Sequence, residues 1–336
     1  MITRRTLLQT AGAGAIGTAA LPAGAASVDS AKYSGPLDMP QNVTLLSIRN
    51  SDCTETLGVK LDGGVLDVRA AAKSLKLSAP ADLDQLLQER RGPELTKLIE
   101  AARSAKTPLL TEASITYGKL FSRPGKIICV GLDYRRHAEE VGMAFPKAPV
   151  LFSKFDNALA PHNVTIKLPP REISYKFDYE TELLIVMGKR AHNVSEDEAL
   201  SHVAGYCTSN DFSARDLQLE TGGQWLIGKT LDDFAPIGPY FVSADQVPNP
   251  NDLKLQTTVN GEIRQDWSTN DFIFNCQQMV SYISKHWPLE PGDIIFTGTP
   301  QGVILGKPKD QQVWLKAGDR ITSTIEKLGT LSFSLA

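Results

Sequence analysis

Four cysteines in 336 residues, no excess of positive charge and no long hydrophobic run exclude several classes of protein from the start. Because no two of the cysteines form a C-x-x-C pair, the sequence does not support a zinc site. Lysine and arginine number 35 against 38 acidic residues, whereas nucleic-acid-binding domains are normally basic. Beyond the N-terminus the hydrophobic runs are short, such as residues 183–187, far from the ~20 apolar residues of a membrane-spanning helix.

The first 26 residues resemble an export signal more than a part of the fold. Residues 3–9 read TRRTLLQ, a twin-arginine signature, and a weakly apolar run rich in Ala and Gly follows at residues 10–21. Ala23, Gly24 and Ala25 then supply the small residues that a signal peptidase requires. We therefore predict a twin-arginine (Tat) signal peptide over residues 1–26, export to the periplasm, and a mature protein without a membrane anchor.

Behind this segment the sequence divides into a linker and two domains. Residues 27–41 are small, polar and proline-containing, which is typical of a linker. Residues 42–120 combine strand-like alternation with helical stretches at 82–89 and 93–102, and predict a small α+β N-terminal domain. Residues 121–336 consist mostly of short strands separated by Gly and Pro, without a βαβ rhythm. The predicted fold class is α+β, mainly β, with a rolled or barrel-like sheet in the larger domain.

An acidic stretch at residues 178–182, DYETE, is the most informative part of the sequence. On a strand, Glu180 and Glu182 point to the same face, because side chains alternate. Two carboxylates this close repel each other unless a cation neutralises them, although a solvated strand face gives the same pattern. Asp211, at the end of a second strand-like run, is placed as a third ligand. Three such oxygen ligands suit Mg²⁺, Mn²⁺ or Ca²⁺ and leave positions open for water or a bidentate substrate.

Six short motifs in the larger domain occur in a recognisable order. They are residues 131–140 (GLDYRRHAEE), 178–182 (DYETE), 210–218 (NDFSARDLQ), 228–232 (GKTLD), 236–239 (PIGP) and 297–302 (TGTPQG). In type and order these motifs resemble the fumarylacetoacetate hydrolase family, over roughly residues 121–336. The resemblance implies that family's rolled mixed sheet or barrel in the catalytic domain, and a homodimer. One departure is Asp133, which stands where the family more often has Asn.

The resemblance also implies roles for individual side chains. The implied ligands of Mg²⁺ or Mn²⁺ are Glu180, Glu182 and Asp211. The implied catalytic residues are His137, Glu140 and Lys229. The implied substrate contacts are Tyr134, Arg215, Gln218 and Thr299. His137 and Glu140 stand three residues apart on a predicted short helix and so share a face, and a carboxylate beside an imidazole raises its basicity.

A site of this kind suits small 2-oxo acids. A metal that chelates the oxo group and the neighbouring carboxylate acts as an electron sink, and water activated by His137 and Glu140 would attack a second carbonyl. The predicted function is therefore metal-dependent hydrolysis of a C–C bond in an acylpyruvate-type acid. The same residues support decarboxylation, lyase chemistry, or isomerisation or hydration of a 2-oxo acid, and the sequence leaves this choice open. A non-catalytic protein that binds a metal and an organic acid is the third interpretation.

Overall fold

The structure is a computed structural model that describes Met39 and residues 41–336. The predicted signal peptide, residues 1–26, and most of the predicted linker lie outside these described residues. No helix of the described part has the length and apolar character that crossing a membrane requires. The described α-helices are α1 Val68–Leu75, α2 Leu83–Gln88, α3 Gly92–Ser104, α4 Arg135–Glu140, α5 Glu196–Ala199, α6 Arg215–Leu219, α7 Leu226–Lys229 and α8 Cys276–His286.

The strands of the described residues form three sheets. In chain order they are β1 Thr44–Arg49, β2 Glu55–Leu61, β3 Gly64–Asp67, β4 Ile127–Gly131, β5 Val150–Ser153, β6 Leu159–Ala160, β7 Thr165–Ile166, β8 Phe177–Asp178, β9 Thr181–Met187, β10 Val203–Asn210, β11 Ser213–Ala214, β12 Ala235–Ser243, β13 Lys254–Val259, β14 Glu262–Ser268, β15 Ile294–Phe296, β16 Arg320–Ile325 and β17 Gly329–Leu335. The largest sheet has the order β3-β2-β1-β12-β10-β9-β15-β4-β5, with β6 paired to β12. A second sheet has the order β14-β13-β16-β17-β7, and β8 pairs with β11 in a third.

Both faces of the largest sheet are covered, which explains why β9 is buried along its whole length. Alternate residues of a strand point to opposite faces. On one face, Leu184 and Val186 join a hydrophobic cluster that includes residues of α1, α2 and α3. On the other face, Leu183 and Ile185 join a cluster that includes residues of α8. The segment 183–187 is therefore a doubly covered strand, which is why its sequence is apolar without alternation.

The predicted mixture of mainly β structure with helices is confirmed, but the barrel alternative is not. The largest sheet ends at β3 and β5, and the five-stranded sheet ends at β14 and β7, so neither closes on itself. Most neighbouring strands are antiparallel, while β15–β4, β12–β6 and β17–β7 are parallel. Helices α1, α2 and α3 cover one face of the central strands, and α8 together with β13 and β16 of the second sheet covers the other, so closure is not needed to bury them.

The N-terminal strands continue the largest sheet. β1 pairs antiparallel with β12, with Thr44 opposite Val242 and Leu45 opposite Phe241. β2 and β3 extend the same edge, and α1, α2 and α3 cover one face. The domain boundary at residue 120 stays a prediction. The central strands β9 and β10 lie away from this edge, and the acidic residues are found at their ends.

Candidate metal and substrate site

The three predicted metal ligands converge at one end of β9 and β10. Pairing of the two strands places Ser209 opposite Glu182 and Asn210 opposite Thr181. Continuing the same pairing, the backbone N–H of Asp211 donates to the carbonyl of Glu180 at 2.9 Å. Each of Glu180, Glu182 and Asp211 is buried and offers an oxygen within 4.8 Å of the others. The strand register therefore brings together two neighbours in sequence and a third carboxylate about 30 residues away.

Three buried cations surround these carboxylates. Lys229 Nζ donates to Glu180 Oε2 at 2.6 Å and to Asp211 Oδ2 at 2.8 Å. Lys154 Nζ donates to the other oxygen of Asp211 at 2.6 Å. Arg215 Nη2 lies 2.7 Å from Glu180 Oε1. All three cations are at most 3% exposed, so each depends on its carboxylate partners for compensation.

The carboxylates differ in how well they are compensated. Burial opposes ionisation of Glu180, but Arg215 and Lys229 outweigh it and lower its pKa to about 2. Burial and the charges of Asp211 and Glu180 raise the pKa of Glu182 well above its ordinary value. Its one backbone donor is Gly298 N–H, at 2.8 Å from Oε2. Glu182 is therefore the member of the triad whose ionisation a nearby divalent cation would favour most.

The donor set fits a hard divalent cation. Three carboxylates within reach of one another are the oxygen ligands that Mg²⁺ and Mn²⁺ prefer. The under-compensated Glu182 supports the same assignment, because a cation would remove the cost of its ionisation. Glu180, Glu182 and Asp211 would hold this ion, which when bound acts as a Lewis acid toward a carbonyl oxygen.

His137 and Glu140 lie together on α4, as their spacing predicts. His137 Nδ1 is 3.4 Å from Glu140 Oε2, and the other oxygen of Glu140 accepts from Gly302 N–H at 2.9 Å. The chain at Gly306 passes so close that a Cβ there would lie 2.1 Å from the Glu140 carboxyl carbon. The segment 302–306 thus fixes the carboxylate that orients the imidazole.

One cavity of about 600 Å³ contains nearly all of the predicted site residues. Its lining includes the acidic triad, both members of the His137–Glu140 pair, and Lys229, Arg215, Gln218 and Thr299. Gln218 is held by Arg215 Nη1 at 2.9 Å, and Thr299 Oγ1 donates to the carbonyl of Thr181. Tyr134 is the exception: it is 0% exposed and packs against Phe272 in a hydrophobic cluster, outside the cavity lining. Because its ring packs in the hydrophobic core, we do not retain Tyr134 as a substrate contact.

Two residues of the site received no role from the sequence. Asp178 accepts from Arg215 Nε at 2.9 Å and from the backbone N–H groups of Ile304 and Leu305, and so anchors Arg215. Its position in the acidic motif was a usable signal. Lys154 follows β5 as a single lysine, which in sequence is indistinguishable from a solvated residue at a strand end.

Residues 223–230, GQWLIGKT, have the spacing of a phosphate-binding loop. Such a loop follows a strand and leads into a helix, with its lysine free for phosphate oxygens. Here the preceding element is α6, the helix within the segment has only four residues, and Lys229 is bonded to Glu180 and Asp211. The structure therefore does not support a phosphate site at this segment.

Asp133 holds the loop before α4 in place. Its carbonyl accepts from Ile273 N–H at 2.6 Å, and its Oδ1 accepts from Phe274 N–H at 2.9 Å. Oδ2 is buried and has no hydrogen-bond partner among the described residues, and burial raises the pKa of this carboxyl well above its ordinary value. A protonated Asp has nearly the shape of Asn, which explains how it can stand where the resemblance leads one to expect Asn.

We expect Asp133→Asn to stabilise the protein at neutral pH by roughly 1–3 kcal/mol, because burial opposes ionisation of Asp133 and the amide of Asn cannot ionise. Because burial raises the pKa of Asp133, the folded protein holds this proton to a higher pH than the unfolded chain, which releases it above about pH 4. This aspartate therefore lowers stability as the pH rises above 4, and the gain from Asn should shrink toward zero near pH 4. Urea denaturation at several pH values measures this, with the exposed Asp62→Asn as the control. A gain independent of pH would contradict the assignment.

An open mixed sheet carries, in one cavity, a buried carboxylate triad, a His–Glu pair and the buried cations Lys229 and Arg215. This arrangement is of the kind that metal-dependent enzymes use. The sequence model named fumarylacetoacetate (FAA) hydrolase C-terminal matches residues 126–336. This match covers more than half of the chain, which belongs to the fumarylacetoacetate hydrolase family.

Individual relatives cover most of the chain. It is 44% identical over 288 residues to the fumarylacetoacetate hydrolase domain-containing protein 2 homolog of Dictyostelium discoideum, covering 83% of this chain and 92% of that protein. It is 37% identical to the mitochondrial oxaloacetate tautomerase Fahd2a of Rattus norvegicus, over 81% of this chain and 83% of the relative.

Solved structures of similar proteins agree with the fold. Fumarylacetoacetate hydrolase from Exiguobacterium antarcticum is 30% identical, with a TM-score of 0.72 over 87% of this chain and 99% of that one. Fumarylpyruvate hydrolase from Pseudomonas aeruginosa, in complex with Mn²⁺ and pyruvate, is 33% identical, with a TM-score of 0.57 over 63% of this chain and 89% of that one.

The comparisons correct the predicted location. The rat and human oxaloacetate tautomerases to which this chain is similar are named as mitochondrial, which contradicts the prediction of a periplasmic protein. That prediction depended entirely on the twin-arginine pattern in residues 1–26, which lies outside the described residues.

Proposed function

We propose that the protein is a Mg²⁺- or Mn²⁺-dependent enzyme that hydrolyses the C–C bond of acylpyruvate-type 2-oxo acids. The observation that carries the proposal is the His137–Glu140 pair in the same cavity as the acidic triad. The triad would hold the ion that polarises the 2-oxo group, and the pair would activate water. The Mn²⁺ and pyruvate named in the complex of the Pseudomonas relative support both the ion and the class of product.

The charges of the site favour a substrate headgroup with one negative charge. In the contact network around the triad, which excludes Glu140 and its partner His137, the four carboxylates, Asp178 included, and the three cations leave one net negative charge when all are ionised. A divalent ion would reverse this to one positive charge, which a single carboxylate next to the oxo group would neutralise. Buried charge is costly unless it is compensated, so this balance selects a monoanionic headgroup.

The chain's own residues would then carry the reaction. His137 takes a proton from water while Glu140, anchored by Gly302, stabilises the imidazolium that forms. The oxygen of water bonds to the acyl carbonyl, and the bond from this carbon to the methylene group breaks. The electron pair moves toward the 2-oxo group, where Lys229 and Arg215 add positive charge. Protonation of the methylene carbon by His137 gives pyruvate, and the acyl group leaves as a carboxylic acid.

A second candidate activity is tautomerisation of oxaloacetate. Relatives 36–38% identical over about 80% of this chain carry the name oxaloacetate tautomerase. Tautomerisation needs the same stabilised enolate but moves a proton at the methylene carbon and consumes no water. The alternative decarboxylase and lyase activities would use the same headgroup contacts. The proposed homodimer is independent of this choice and is measured directly as the mass in solution.

Product analysis tests the proposal. We expect acetylpyruvate to be converted to acetate and pyruvate with Mg²⁺ or Mn²⁺, and turnover to fall at least about 100-fold with excess EDTA, since metal polarisation contributes several kcal/mol. Oxaloacetate is assayed in parallel for its enol–keto ratio. Turnover of oxaloacetate alone favours the second candidate. Turnover of neither acid with metal present, or full turnover after exhaustive chelation, contradicts the proposal.

A further inference from the structure

An apolar wall begins beside the acidic end of the cavity. The ring of Phe152, on β5, lies 5.4 Å from Lys229 Nζ. Trp225 packs edge-on against Phe152 with 5.4 Å between ring centroids. Both aromatic side chains line the cavity that contains the metal triad. An apolar surface therefore starts at the lysine that we place next to the reacting atoms.

The position of Trp225 is fixed from below as well as from the side. A Cβ on Gly131 would lie 2.4 Å from Cζ3 of Trp225, so the indole rests directly on the backbone at the end of β4. Any larger residue at this position would displace the ring. The indole is thus held between Gly131 and Phe152, which makes it a rigid face for a ligand.

Two further apolar side chains of the cavity lining are exposed. Met143 is 50% exposed and Leu219 is 46% exposed, and both line the same cavity. Exposed apolar groups that gather at a cleft mark a binding surface more often than scattered ones do. A volume of about 600 Å³ also lies within the ~300–1,000 Å³ of clefts that enclose drug-sized ligands. A short acid such as oxaloacetate would fill only a small part of it.

We infer that this wall, formed by Phe152, Trp225, Leu219 and Met143, binds an apolar and preferably planar tail on the acyl group of the substrate. The inference rests on the proposed function, because the headgroup at the triad directs the acyl group along the wall. The substrate class is a 2-oxo acid that carries an aromatic or extended apolar 4-acyl substituent. Planar groups suit the paired aromatic rings, which favour offset or edge-on contacts.

A tail that ends in a carboxylate is the competing occupant. Lys307 and Lys309 also line the cavity, and neither forms an ion pair with the residues that the structure describes. Lys309 is exposed and Lys307 is partly exposed, so water can solvate both ammonium groups. Unlike the buried lysines, they do not need a carboxylate partner. The apolar side chains of Phe152, Trp225, Leu219 and Met143 in the same cavity favour the apolar tail.

The test compares benzoylpyruvate with acetylpyruvate. We expect wild-type protein with Mg²⁺ to prefer benzoylpyruvate in kcat/KM by roughly tenfold or more, the size of one aromatic contact. Trp225→Ala should reduce this preference at least fivefold, Trp225→Phe should restore most of it, and Met143→Ala should reduce it less. Lys307→Ala is the control and should leave the ratio unchanged. Thermal unfolding of each variant verifies that it is folded.

Two results would overturn the inference. One is a ratio that Trp225→Ala does not change although the variant is folded. The other is a preference for a carboxylate-terminated acylpyruvate that only Lys307→Ala removes. If wild-type protein turns over neither acid, the proposed function fails, and calorimetric binding of the two acids in Mg²⁺ then decides the tail separately. Equal affinities, or binding of neither acid, would also contradict the apolar tail.

Discussion

Replacing His137 with glutamine should lower the turnover number for acylpyruvate hydrolysis by about 10²–10⁴-fold, the usual contribution of a positioned general base. The imidazole of His137 lies beside Glu140 in the cavity, and His137 is not one of the three proposed metal ligands. Binding of Mn²⁺, measured by calorimetry, should therefore be unchanged. The pattern of lost turnover and retained metal distinguishes loss of a base from loss of the site.

The control for this substitution is His192→Gln, because His192 is exposed and is outside the cavity lining. Glu140→Gln should also lower turnover, but by less, since it removes only the group that orients the imidazole. Hydrolysis at the wild-type rate in the His137 variant would exclude this histidine as the base. It would leave the acidic triad and its metal unaffected.

Arg215→Leu should lower the free energy of unfolding by about 3–5 kcal/mol in metal-free protein, the usual cost of removing one partner of a buried ion pair. Arg215 is 3% exposed and contacts Asp178 at 2.9 Å and Glu180 at 2.7 Å. Its removal leaves two buried carboxylates with fewer compensating charges. The lower end of the range is expected, because Lys229 still bonds Glu180 and backbone N–H groups still bond Asp178. Urea denaturation in EDTA measures the change.

Lys176→Ala is the matched control for this loss of an ion pair. Lys176 pairs with Glu220, whose side chain is 53% exposed, and surface pairs of this kind contribute ~0–1 kcal/mol. A loss below about 1 kcal/mol in Arg215→Leu would mean that solvent or rearrangement compensates the carboxylates. The buried charge network would then not be the main constraint on this part of the fold.

The sequence was most informative where local pattern and chemistry coincide. The apolar run 183–187 predicted a strand, and β9 includes it. Alternation on this strand placed Glu180 and Glu182 together, and the end of the following strand supplied Asp211. The spacing of His137 and Glu140 gave their shared face on α4. These features depend on backbone periodicity over a few residues, which can be read directly from a sequence.

Contacts between residues that are far apart in the sequence were harder to predict. Lys154 bonds Asp211 across 57 positions, and nothing near it in sequence signals burial. Tyr134 stands three residues before His137, yet the turn into α4 directs its ring into the core. Pairing of β1 with β12 joins segments about 200 residues apart, so the continuity of the largest sheet was invisible in the local pattern. Such contacts are set by the whole topology rather than by neighbours in the chain.

The central claim is that Glu180, Glu182 and Asp211 together hold one divalent ion. Its most direct test is a titration with Mn²⁺ in which free Mn²⁺ is followed by electron paramagnetic resonance. Wild-type protein and an exposed-site control, Glu262→Gln, should each bind one Mn²⁺ per chain, and the double variant Glu182→Gln/Asp211→Asn should bind none in the same range. One Mn²⁺ bound with unchanged affinity by the folded double variant would contradict the claim.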